Sequence, residues 1–81
     1  MELLQLKYFQ TVAYTEHLSN AAKQLTIAQP SLSLTIKRLE DELGTKLFDR
    51  KGRNIQLSAS GKILLKHVNR IFIELENAQA E

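Results

Sequence analysis

Hydrophobic and polar positions follow one another along this chain with a period that changes twice. Leu3, Leu6, Phe9, Val12 and Ala13 recur at three- and four-residue intervals, which marks a helix with one buried stripe. The spacing predicts a first helix over about Leu3–Thr15, followed by a short connection through Glu16, His17 and Leu18. Ser19 is a good N-cap, because its hydroxyl can accept from an N–H two or three residues on. A second helix is therefore predicted over Asn20–Leu25, with Ala21 and Ala22 small enough for another helix to approach closely. Thr26, Ile27 and Ala28 then turn the chain into a third helix that ends at Gly44, a residue suited to the left-handed closing position. In this helix Leu32, Ile36, Leu39 and Leu43 share one face. Pro30, Ser33, Leu34 and Lys37 lie opposite, with Arg38 at the edge.

After Gly44 the helical period gives way to short β-prone runs, Leu47–Arg50 and Ile55–Leu57. They flank Lys51-Gly52-Arg53-Asn54, whose glycine and asparagine accept positive φ in a tight turn. This predicts a β-hairpin with cations around its tip. Ser58 is the expected cap of a last, long helix. There Leu64, Val68, Ile71, Leu75 and Ala78 alternate at four and three residues, the coiled-coil spacing. Ile63, Leu65, Phe72 and Ile73 add apolar surface beyond that seam. A helix rising about 1.5 Å per residue outreaches what so small a domain can cover. Only its N-terminal part is expected to pack on the first helix, and a second copy of the chain is expected to cover the rest. The helix reaches Glu81 with neither a cap nor a glycine, which reads as the cut end of a fragment.

Composition narrows the function by exclusion. A chain of 81 residues is one small domain that buries roughly two-thirds of its unfolded surface. It has no cysteine, so neither disulfides nor thiolate metal sites are open to it. His17 and His67 are far apart without a ligand pattern, and both are read as surface residues. No nucleophile–base–orienter set, phosphate-binding glycine loop or metal cluster is visible, so no catalytic residue, metal or cofactor is expected and the chain is not read as an enzyme. No apolar run approaches the ~20 residues of a membrane span, and the first residues lack the pattern of a signal peptide. The expectation is a soluble, cytoplasmic protein with no membrane partner.

Charge then points to a partner. The formal net charge is only +2. Between Lys46 and Arg70, however, lie seven basic residues and one acid, a local balance of +6, against −4 for the remainder. A basic segment on a near-neutral domain is a footprint for polyanions. Two short helices joined by a tight turn, the second with a polar outer face, form a helix-turn-helix, and a hairpin after it forms a wing. The start of the third helix is expected to enter the major groove of duplex DNA, because Glu40, Asp41 and Glu42 would be repelled by phosphate at the other end.

Gln29 can read adenine through N6 and N7, and Ser33 can bond a base or a phosphate. Pro30, Ser31 and Leu34 share this surface, Leu34 facing a thymine methyl. Lys37 and Arg38 are expected at phosphate, with Arg53 on the backbone or in the adjacent minor groove, and Arg50 is a further expected DNA contact. The amides at Ser19 and Asn20 can hold a backbone phosphate. A solvated helix face is the plain alternative for α-helical polar residues. A protein-binding winged helix is the rival function, and salt-dependent DNA affinity separates the two.

The same residues resemble a known family. Ala21-Ala22, Leu25, Gln29-Pro30, Leu32-Ser33, Ile36, Leu39-Glu40, Leu43-Gly44, Leu47-Phe48, Arg50 and Leu57-Ser58 match the N-terminal signature of LysR-type transcriptional regulators. Phe9, Val12-Ala13 and Gly61 extend the match across essentially the whole chain. The resemblance implies a mainly α fold: a winged helix-turn-helix over residues 1–58, with three helices and a β-hairpin wing, then a linker helix over 59–81. It also implies a homodimer whose linker helices pair antiparallel through Leu64, Val68, Ile71, Leu75 and Ala78, reading an inverted repeat. A small-molecule effector would act only through a C-terminal domain absent from this chain. Two positions depart from the pattern: Ala28 stands where serine is frequent, and Leu34 where arginine is frequent.

Overall fold

The computed structural model describes residues 1–52 and 54–81. Their order is α1 (Leu3–Thr15), α2 (Leu18–Leu25), α3 (Gln29–Leu43), β1 (Phe48–Lys51), β2 (Asn54–Leu57) and α4 (Ala59–Ala80). This is the mainly helical winged helix-turn-helix that the periodicities predict. α1 closes at Glu16, whose left-handed backbone turns its N–H back onto the Val12 carbonyl. α2 begins one residue before Ser19, which corrects the expected cap. His17 takes that role, its Nδ1 accepting from the Asn20 N–H at 3.3 Å. Leu18 can then join the helix and pack on the core.

Thr26 closes α2 at φ +59, a left-handed position that β-branched residues seldom occupy. Its N–H and that of Ile27 satisfy the last carbonyls of α2, at Lys23 and Ala22. Ala28 enters α3 in extended conformation with no side-chain cap. Pro30 is tolerated in the first turn because its missing N–H would have no helical partner.

The core is one cluster. Phe9 and Val12 of α1, Leu32 and Leu39 of α3, Leu47 and Val68 are almost fully enclosed. Ala21 and Ala22 are buried too, and their small size lets α2 lie close to its neighbours. The Phe9 and Phe48 rings meet at 5.5 Å, tilted by 52°, which seats the wing on α1.

β1 and β2 pair antiparallel from Phe48↔Leu57 to Lys51↔Asn54. The strands run closer to the tip than the sequence predicts, and Leu47 lies outside them. Its backbone is committed elsewhere: its N–H donates to Glu40 Oε2 at 2.7 Å, and its carbonyl accepts from the Ser58 N–H at 2.9 Å. Ser58 also accepts from the Gly61 N–H, the predicted cap, and its hydroxyl donates to the Lys46 carbonyl at 2.7 Å. Gly61 sits directly on Leu47, where an added Cβ would overlap the carbonyl oxygen. The Ile55 N–H reaches the Glu16 carbonyl at 3.2 Å and ties the wing to the α1–α2 corner.

α4 divides along its length. Val68 is fully enclosed, and Leu64, Leu65 and Phe72 pack against the same core. Ile71 and Leu75 are 38% and 39% exposed, and Ala78 is exposed. The expected five-residue seam is therefore corrected at Val68. A four–three pattern reports a buried stripe without saying whose surface buries it, and here α1 covers the first half. Beyond Phe72 the helix runs out from the body, so the molecule extends 44 Å along its longest axis.

Candidate nucleic-acid interface

α2 and α3 meet at a tight corner whose outer side is polar. Gln29, Pro30, Ser31 and Lys37 are exposed, Leu34 is 47% exposed, and Ser33 is half-buried. At the corner the Ser19 hydroxyl donates to Gln29 Oε1 at 3.1 Å. That bond orients the amide and leaves its NH2 group available, and a carbonyl oxygen can still accept a second bond. Asn20 is exposed, but its N–H donates to His17 Nδ1 at 3.3 Å, which corrects the expectation of a free phosphate-binding amide at that residue.

Beside this face a groove runs between α3 and the wing. Leu18, Ser33, Lys37, Lys46, Phe48 and Arg50 line it. Three cations from α3, the α3–β1 loop and β1 thus border one concavity. Its one carboxylate among the described residues, Glu40, is turned to the Leu47 N–H. Lys37 also lies 3.6 Å from Asp41, but both side chains are exposed. Such a pair contributes little and yields readily to a stronger anion.

Comparison with known proteins decides what this arrangement belongs to. Residues 3–62 match the family described as bacterial regulatory helix-turn-helix protein, lysR family. The chain belongs to the LysR family. It is a LysR-type helix-turn-helix DNA-binding domain, and its relatives are transcriptional regulators, not enzymes. The HTH-type transcriptional regulator YybE of Bacillus subtilis (strain 168) is 48% identical over 81 residues, the whole of this chain and 28% of that protein. BudR of Klebsiella aerogenes is 44% identical over 81 residues, again the whole chain and 56% of that regulator. This chain therefore spans about a quarter to a half of the length of those relatives.

Among solved structures, the CbnR DNA-binding domain in complex with DNA superposes with a TM-score of 0.88 at 39% identity, covering 99% of this chain and 91% of that one. The BenM DNA-binding domain in complex with benA site 1 DNA gives 0.93 at 32% identity, covering 99% and 93%.

In this LysR-type domain the residues expected at DNA fall into three places. Ser19, Asn20, Gln29, Pro30, Ser31 and Leu34 gather on the α2–α3 corner. Ser33, Lys37 and Arg50 border the groove. Arg38 is set apart: it faces a shallow hollow with Met1, Leu4, Tyr8 and Glu42 on the α1 side. Arg53 lies outside the described residues. Lys46 also borders the groove, and apart from opening the basic segment no sequence signal singles it out as a contact. The sequence presents Glu40 as one acid of a repelled cluster, and no local signal could show that it closes on a backbone amide seven residues away. Among the described residues no helix is long and apolar enough to cross a membrane, and no group of His, Cys, Asp and Glu is placed to hold a metal.

Proposed function

We propose that this domain binds duplex DNA sequence-specifically, with the start of α3 in the major groove and the wing against the backbone or minor groove. The observation that carries the reading is the convergence of Lys37, Lys46 and Arg50 on one groove beside the exposed, uncharged start of α3. Small hydrogen-bonding groups there suit base edges, and the flanking cations suit phosphates. Gln29, oriented by Ser19, reads adenine; Ser31, Ser33 and the Pro30–Leu34 surface complete the base-facing set. Lys37, Lys46 and Arg50 hold one stretch of backbone, and Arg38 serves a separate phosphate on the α1 flank; Arg53, outside the described residues, keeps its sequence-based assignment to the backbone or the adjacent minor groove. The solved complexes of CbnR and BenM domains with DNA support this reading.

The domain acts as a homodimer on an inverted repeat. Ile71, Leu75 and Ala78 form the seam, joined by the exposed flank of Leu64, while Val68 stays inside each monomer. Any small effector acts through sequence beyond this chain, in the cytoplasm where such a regulator meets its operator. Titration of the domain with duplex DNA across a series of salt concentrations tests the reading. Affinity is expected to fall steeply, with a log–log slope set by several phosphate contacts per dimer. An affinity indifferent to salt would overturn it and favour the protein-binding alternative.

A further inference from the structure

α4 is held to α1 in two ways that differ in kind. Leu64, Val68 and Phe72 pack into the core, and such contacts are non-directional. Alongside them runs a polar bridge. Gln10 Nε2 donates to Asn69 Oδ1 at 2.8 Å, and Asn69 Nδ2 donates to Tyr14 Oη at 2.8 Å. One asparagine amide thereby spans two residues of α1 that lie four apart on the same face. Lys7 adds a third tie, its ammonium 5.4 Å from the centre of the Phe72 ring. Just past these ties α4 leaves the body, and Ile73 to Ala80 are all exposed.

We propose that the Gln10–Asn69–Tyr14 bridge sets the angle at which α4 leaves the domain, and through that angle the half-site spacing a dimer accepts. The inference rests on the dimeric reading above. Hydrogen bonds add a directional constraint to the apolar packing, so the bridge narrows the rotation and tilt open to α4 beyond what the core contacts set. From Phe72 to Ala80 the helix rises about 12 Å at 1.5 Å per residue. A tilt of about 10° moves its tip ~2 Å, and the same tilt re-aims the reading face of each copy. On the DNA, one added base pair moves a half-site by about 3.4 Å and turns it by roughly 34°, a tenth of a helical turn. A stiff dimer cannot follow that change, whereas one with a loosened exit angle can. Asn69 is thus a positioning residue for spacing, with no contact to DNA itself.

The test compares wild type with Asn69→Ala, Gln10→Ala and Tyr14→Phe. The last removes one hydroxyl from an exposed ring and leaves the fold undisturbed. The probes are duplexes carrying two inverted copies of the half-site that the wild-type domain selects from a random pool, with the spacer changed one base pair at a time. A duplex with a single half-site serves as control, and sedimentation gives the mass of each protein. Wild type is expected to prefer its own spacer over the neighbours by about tenfold, the upper end of what one net hydrogen bond carries. In the variants that preference should fall to about threefold or less, while single half-site affinity stays within about twofold and the dimer persists.

Variants that bind every duplex more weakly by one factor, single half-site included, would show a merely structural role and overturn the inference. So would an unchanged spacing profile in a dimeric Asn69→Ala protein. A wild-type domain that sediments as a monomer would instead overturn the dimeric reading on which the inference stands.

Discussion

Removing the carboxylate of Glu40 isolates one bond that joins α3 to the segment leading into the wing. Glu40 Oε2 accepts the Leu47 N–H at 2.7 Å, and Leu47 is only 1% exposed. Truncation in Glu40→Ala leaves that N–H without its partner, at a cost of about 1–3 kcal/mol for a buried donor. Glu40 borders an open groove, so water can enter as the side chain leaves, and the lower half of that range, about 1–2 kcal/mol, is expected. For a domain of this size each kcal/mol moves the melting temperature by about 4–8 °C, so a fall of roughly 5–15 °C should follow. Glu40→Gln keeps an acceptor oxygen at the same reach but loses the charge. Charge-assisted hydrogen bonds are about twice as strong as neutral ones, so glutamine should recover about half of the loss.

DNA affinity moves the other way. Glutamine removes the one carboxylate among the described groove residues from beside Lys37, Lys46 and Arg50, so low-salt affinity for any duplex should rise. The assay is thermal melting by circular dichroism at one fixed protein concentration, paired with DNA titrations at two salt concentrations. If alanine melts with wild type, the bond does not hold the wing. If glutamine is no better than alanine, the charge and not the acceptor is responsible, and the positional argument fails.

Three further substitutions probe other parts of the molecule. Gly61→Ala would drive a methyl into the Leu47 carbonyl, so the start of α4 must shift. A loss of about 1–3 kcal/mol is expected for such overpacking, and an unchanged melting temperature would contradict it. Leu34→Ala removes a side chain that is 47% exposed and should leave stability unaltered. Affinity for a selected site should fall by about 1 kcal/mol, with a smaller loss when the contacted thymine is replaced by uracil; equal affinity for all sequences would leave Leu34 out of the reading. Ile71→Glu places a carboxylate in the proposed seam at a cost of several kcal/mol if buried unpaired. Sedimentation should show a monomer with retained core helicity, and a persistent dimer would move the seam elsewhere on α4.

Where the sequence was legible, local chemistry decided the outcome. α1 follows its predicted limits because the periodic stripe ends at Thr15 and Glu16 turns the chain. α3 runs between the expected Ala28 and Gly44, and Gly44 is left-handed as its residue type requires. The Ser58 cap holds for the same reason. The failures are tertiary. His17 displaced Ser19 as a cap, because its imidazole nitrogen accepts from the Asn20 N–H and lets the helix start at Leu18, while Ser19 turned to Gln29. Leu47 left the strand because Glu40 and Ser58 claim its backbone. Val68 entered the monomer core, which a heptad pattern cannot distinguish from an interface. At the candidate interface, residue types pointed to the start of α3, but the placing of Arg38 on the α1 flank depends on how α1 crosses α3, and no spacing encodes that.

The exposed outer turns of α4 bear on how two copies would come together. From Ile73 to Ala80 the helix has no residue even half-buried in the lone chain, and two turns without tertiary support are marginal in water. In a lone chain these turns rest on the helix's own hydrogen bonds, and a second copy packed on them would add the support they lack. Ordering a residue's backbone opposes association by about 1–2 kcal/mol, so part of what the apolar seam contributes is offset within the helix itself. Association and helix completion become one event. Under the dimeric reading proposed above, helical content is expected to climb with protein concentration, and circular dichroism across a dilution series checks it.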